Sequence, residues 1–125
     1  VIKEQLETGD YQLQEDPMGT VIERKGSLSE LSKNCITKDN KRFLSALDRL
    51  AEARNPILMA EGTPTNFLRP QRYVEKPEIV LDCLLKFLQE RKIQLLLMPT
   101  GARCHRQAFS DWCARLLING YRWTK

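Results

Sequence analysis

Tyr11-Gln12-Leu13 alternates apolar and polar residues with the period of two that a half-buried strand shows, and Pro17-Met18-Gly19 predicts a hairpin turn into a second strand over Thr20 to Lys25. Val1 to Leu6 alternates less regularly but reads as a further strand, closed by the turn residue Gly9. The period then changes. Ser27, with Glu30 three residues on, has the capping-box spacing for a short helix. Phe43, Leu44, Leu47, Leu50 and Ala51 recur at helical spacing behind Asp39, a capping residue type. Asn55-Pro56 ends that helix, and Ile57 to Ala60 is a continuous apolar run of the kind found in strands covered on both faces.

Thr63 to Lys76 reads as the long irregular stretch, with Phe67 and Tyr73 interleaved among Arg69, Arg72 and Lys76. Basic residues among aromatics suit a phosphate backbone and an unpaired base, or else a solvated loop whose aromatics tuck against the core. From Pro77, the positions Ile79, Val80, Cys83, Leu84, Phe87 and Leu88 make an amphipathic helix, followed by a strand over Gln94 to Met98. Arg103 to Ile118 reads as the last helix, with Phe109, Trp112, Cys113, Leu116 and Leu117 inward and Asn119-Gly120 as its stop. The order β-β-β-α-α-β-α-β-α predicts an α/β domain, a mixed central β-sheet flanked by helices.

Composition narrows the classes. Hydrophobic residues make up 42% and charged residues 29% of the 125 positions, the ordinary balance of one folded domain rather than a disordered segment. No apolar run approaches the roughly 18 residues of a membrane span, and no leader-like segment is visible. The net charge of +4 suits a polyanionic partner without requiring one. Cys35, Cys83, Cys104 and Cys113 form no C-x-x-C pair, which argues against zinc and for reduced thiols inside a cell. Cys83, among leucines, reads as a small core residue. His105 beside Cys104 matches no metal-binding pattern and reads as a surface histidine.

The candidate chemistry lies in the first third of the chain. On a strand, Glu23 and Lys25 point to one face and Arg24 to the other. Hairpin geometry would bring Asp10 to the same sheet end as Glu23. Two carboxylates can hold a hard divalent cation, and a nearby ammonium can steady charge on a scissile phosphate.

Gly9-Asp10, Val21-Ile22-Glu23-Arg24-Lys25 and Ser27-Leu28-Ser29-Glu30-Leu31 resemble, in this order, the G-D…E-R-K-x-x-x-D pattern of the nuclease domain of the XPF-type structure-specific DNA endonucleases, of the restriction-endonuclease-like superfamily. Ala46-Leu47-Asp48-Arg49-Leu50, Pro56 to Gly62, Pro77 to Arg91 and Ile93 to Met98 are similar to the helices and strands that follow, so the likeness spans most of the chain. It implies a restriction-endonuclease-like fold and a single nuclease-like domain over 1–125 that begins past the family's first acidic strand. It implies Mg²⁺ or Mn²⁺ held by Asp10 and Glu23, with Lys25 as the catalytic cation and Arg24 as a structural partner behind them. Where the pattern has an Asp after the Lys, this chain has Ser29, with Glu30 beside it as the candidate extra acid. Arg42, Arg69, Arg72 and Lys76 are the expected DNA contacts.

The expected function is therefore a metal-dependent endonuclease acting on branched, flap or fork DNA in repair or recombination, working where the DNA is, in a nucleus or a bacterial or phage cytoplasm. A homo- or heterodimer through the last helix is expected with it. The alternative is a catalytically incomplete DNA-binding or dimerisation module of the same fold, motivated by Ser29.

Overall fold

The computed structural model describes the backbone at residues 2–3, 11–26, 28–36, 40–70, 74–99 and 103–123, with the side chains at 2–3, 36 and 103–106 outside that description. A five-stranded sheet runs through it in sequence order: β1 (Ile2–Lys3), β2 (Tyr11–Leu13), β3 (Asp16–Lys25), β4 (Asn55–Glu61) and β5 (Gln94–Met98). β1, β2 and β3 pair antiparallel, and β3, β4 and β5 pair parallel. Parallel neighbours need crossovers. Here α1 (Leu28–Ile36) and α2 (Asn40–Leu50) join β3 to β4, and α3 (Pro77–Glu90) joins β4 to β5. The final helix, α4 (Arg103–Trp123), packs across β3 and β2. The element order and the mixed α/β architecture are those expected from the periodicity.

Strand alternation divides the core in two. Val21, Leu58 and Ala60 point to the face covered by α1, α2 and α3, where they meet Leu31, Phe43, Leu47, Leu50, Val80, Leu84 and Leu88. Ile22, Ile57 and Met59 point to the other face, against Phe109, Cys113 and Leu117 of α4. β4 is thus buried from both sides, as its uninterrupted apolar run requires, and each such side chain contributes about 1.5–3 kcal/mol by leaving water.

Three local expectations change. The hairpin does not turn at Pro17-Met18-Gly19: the turn is Gln14-Glu15, Leu13 pairs with Asp16, and the register shifts before Gln12 meets Val21. The residues from Pro17 to Gly19 are the irregular part of β3, where the Asp16 carboxylate folds over Gly19 so closely that a Cβ there would lie 1.9 Å from Asp16 Oδ2. Arg54 pairs with the same carboxylate at 2.8 Å.

The last helix also runs past Asn119-Gly120 to Trp123. Gly120 is a contact residue rather than a stop. A Cβ on it would fall 1.9 Å from Thr20 Oγ1, so its hydrogen lets α4 lie directly on β3. Third, the stretch after β4 is partly ordered: Thr63 caps a 3₁₀ turn, Pro64–Phe67, through a reciprocal capping box with Asn66, and Phe67 is buried in the core. Phe67 follows the core-tucked reading of the aromatics, while Tyr73 and Arg72 lie outside the described residues.

Candidate functional site

The three parallel strands all end at one edge of the molecule. Lys25 pairs with Ala60, and Glu61 with Met98. α1 starts just after Lys25, while α2 and α3 run back against the strands, since short connections link Leu50 to Asn55 and Glu90 to Gln94. The N-termini of α1, α2 and α3 therefore gather at the carboxyl ends of the strands, the usual place for a site in an α/β sheet.

Glu23 and Lys25 occupy the last turns of β3 on the face shared with Val21, and both are half-buried. The Lys25 ammonium lies 5.4 Å from the centroid of the Phe43 ring in α2. Such a cation–π contact holds the charge with about 0.5–1 kcal/mol and leaves its N–H donors usable. Glu23 and Lys25 thus share a face, as alternation requires. Asp10, the other expected ligand, lies outside the described residues; its neighbour Tyr11 pairs with Ile22, the neighbour of Glu23.

Arg24 points to the α4 face. Its Nε donates to Glu61 Oε1 at 3.0 Å, and its Nη2 forms a further, short contact with the same oxygen. The guanidinium carbon sits 4.9 Å above the Phe109 ring. The hydrogen bond to Glu61 raises the Arg24 pKa, with Tyr11 adding to it, and burial opposes this. Rather than being buried, the pair is part-exposed, at 42% for Arg24 and 17% for Glu61, and it ties the end of β3 to the end of β4 across Phe109. Glu61 was not singled out by spacing. Its signal was its place, an acid closing an apolar strand one residue beyond the partner of Lys25.

Glu30 is exposed, and its Oε1 accepts the Gly26 N–H at 2.8 Å. It closes the turn between Lys25 and α1 through Gly26; Ser27, its expected capping-box partner, lies outside the described residues. Ser29 is half-buried in the first turn of α1. Of the expected DNA contacts, Arg42 sits in the first turn of α2, Arg69 follows the 3₁₀ turn after β4, and Lys76 precedes α3; all three are exposed and belong to elements that open at the carboxyl end of the sheet. Arg72 lies outside the described residues.

Among the described residues no three His, Cys, Asp or Glu side chains come together as a metal site. Glu23 supplies one hard oxygen donor of the right chemistry for Mg²⁺ or Mn²⁺; the expected second donor, Asp10, lies outside the described residues. Cys35 and Cys113 are buried free thiols and Cys83 is half-buried; Cys104 and His105 have no described side chains. No helix of the described residues is long and apolar enough to cross a membrane.

A second concavity lies at the opposite end of the sheet. Thr20, Asn55, Ile57 and Gln94 meet Trp112, Arg115 and Leu116 of α4 around a groove of about 360 Å³. Trp112 is 51% and Trp123 73% exposed. Trp112 was expected inward; it lines the groove mouth instead, while Phe109, Cys113 and Leu117 fill the core beneath.

No family model matches the sequence, and no curated protein does. The fold does have solved counterparts. XPF from Aeropyrum pernix in complex with DNA superposes with a TM-score of 0.63 at 23% identity, over 93% of this chain and 52% of that one. XPF from Aeropyrum pernix without DNA gives 0.60 at 21% identity, over 96% and 56%. This chain spans little more than half the length of those XPF chains. Superposition over nearly the whole chain shows that it has the fold of this part of those XPF chains.

Proposed function

We propose that this chain is a Mg²⁺- or Mn²⁺-dependent endonuclease domain that hydrolyses phosphodiester bonds in branched, flap or fork DNA, in repair or recombination. The observation that carries the reading is the shared face of Glu23 and Lys25 at the carboxyl end of β3, where three basic elements open around it. The DNA complex of the A. pernix counterpart supports a nucleic-acid partner.

Glu23 and Asp10 would hold the cation. When bound, it would supply an activated water and charge stabilisation at the phosphate. Lys25, anchored over Phe43, neutralises charge that builds on the non-bridging oxygens and orients the attacking water. Arg24 and Glu61 act from the other face by fixing the strand ends that aim Glu23 and Lys25. Arg42, Arg69, Arg72 and Lys76 hold the DNA backbone, each phosphate contact adding about one unit to the salt dependence of binding. Branch selectivity requires more phosphate contacts than one small domain makes, so the domain acts with a partner copy or chain, docked through the apolar α4 surface around Trp112 and Trp123.

Titration calorimetry with Mn²⁺ tests the metal assignment. Stoichiometric binding that Glu23→Gln abolishes supports it, and heat unchanged by Glu23→Gln removes Glu23 as a ligand. The second reading, a DNA-binding or dimerisation module without catalysis, is favoured by Ser29 where an acid is expected and by the absence of a three-acid cluster among the described residues. That module binds fork DNA and takes up no metal at this face.

A further inference from the structure

Cys35 on α1 is buried and Cys83 on α3 is half-buried, and these two helices pack side by side over the sheet. The Cys83 thiol donates to the Cys35 carbonyl oxygen with Sγ at 3.7 Å. Burial raises the Cys35 thiol pKa, and the Cys83 thiol beside it adds to the rise. Cys113, by contrast, faces the Met59 thioether at 3.7 Å, a sulfur with no hydrogen to give up and no bond to form.

We propose that Cys35 and Cys83 are a redox modification site, closing to a disulfide that ties α1 to α3 when the protein meets a peroxide. The proposal stands apart from the nuclease reading. Cys83, the more accessible thiol, reacts first: its thiolate attacks one peroxide oxygen, the O–O bond breaks, and Cys83 becomes a sulfenic acid as hydroxide leaves. The Cys35 sulfur then attacks the sulfenic sulfur. The S–S bond forms, the S–O bond breaks, and the Cys35 proton departs with the hydroxyl as water. Overall two thiols lose two electrons and two protons, and one peroxide becomes two waters.

Burial, with the Cys83 charge beside it, pushes the Cys35 thiol up to about 12. Cys35 therefore stays a protonated thiol near neutral pH and does not start the reaction. Closure waits for the oxidation of Cys83, because only then does Cys35 have an electrophilic sulfur beside it.

The test uses the full chain carrying Cys104→Ser, which removes competition from the fourth cysteine, treated with hydrogen peroxide in the folded state and mapped by mass spectrometry without reduction. The expected result is a loss of two hydrogens, a single cross-linked peptide pair containing Cys35 and Cys83, and full reversal by dithiothreitol. Adding Cys83→Ser, with folding checked by circular dichroism, should abolish the cross-link. Carriage of Cys83 to its sulfinic acid while Cys35 remains alkylatable after unfolding overturns the proposal, as does a Cys83 left unreacted while Cys113 oxidises.

Discussion

Replacing Gly120 with Ala should destabilise the protein even though Ala is the better helix former. In an open helix the change would gain about 1 kcal/mol. Here the new methyl would lie 1.9 Å from Thr20 Oγ1 and 3.0 Å from Thr20 Cβ, and Thr20 is itself only 4% exposed. Overpacking of this kind costs about 1–3 kcal/mol. Turning Thr20 away would also break its hydrogen bond from Asn55 Nδ2, at 3.2 Å, for roughly another 1 kcal/mol. The net expectation is a loss of about 1–3 kcal/mol, or a fall in Tm of some 4 °C per kcal/mol for a domain of this size. Thermal and urea denaturation of Gly120→Ala, Thr20→Ala and the double variant would measure it. Removing the hydroxyl relieves the closest contact, so the double variant should be more stable than the sum of the singles by about 1 kcal/mol. Strict additivity, or a Gly120→Ala protein more stable than the parent, would refute the packing of α4 on β3.

Leu58→Ala, at a fully buried position of the central strand, should cost about 2–5 kcal/mol in urea unfolding. The Arg24–Glu61 pair is part-exposed, so a double-mutant cycle of Arg24→Ala and Glu61→Gln should give a coupling of no more than about 1 kcal/mol, falling with added salt. Burial raises the Cys35 thiol from 9.0 to about 12 and the Cys113 thiol to about 11. Raised folded values mean that stability is intact below pH 9.0 and is lost as pH rises through about 11 to 12. Cys113→Ala should therefore flatten the decline in unfolding free energy between pH 9.0 and about 11 relative to the parent; an identical slope would count against it.

Much of this fold is written in the period of its apolar residues. The α2 stripe of Phe43, Leu47 and Leu50 and the continuous β4 run are signals of burial, and burial is what the structure shows there. Turns and ends were less legible for a physical reason. Pro17 and Gly19 are turn formers, yet the local preference yields to the Asp16 carboxylate and its Arg54 partner, and the chain turns earlier, at Gln14-Glu15. Asn119-Gly120 looks like a helix stop because glycine is equally suited to ending a helix and to letting one approach a strand; only the neighbour, Thr20, decides. At the site, alternation alone placed Glu23 and Lys25 together and Arg24 opposite. The contact of Arg24 with Glu61, 37 positions away, needed the parallel register of β3 and β4, which no local pattern encodes.

The central claim is that Glu23 and Lys25 cut DNA. Its most direct test is Mg²⁺-dependent cleavage of labelled flap, fork and nicked-junction DNA by the parent, Asp10→Asn, Glu23→Gln and Lys25→Ala proteins, with DNA binding measured alongside. The expected result is cleavage by the parent and losses of about 10²–10³-fold or more in each variant, with binding kept within a few-fold. Cleavage unchanged by all three substitutions, or a parent protein that binds fork DNA and never cuts it, would contradict the claim.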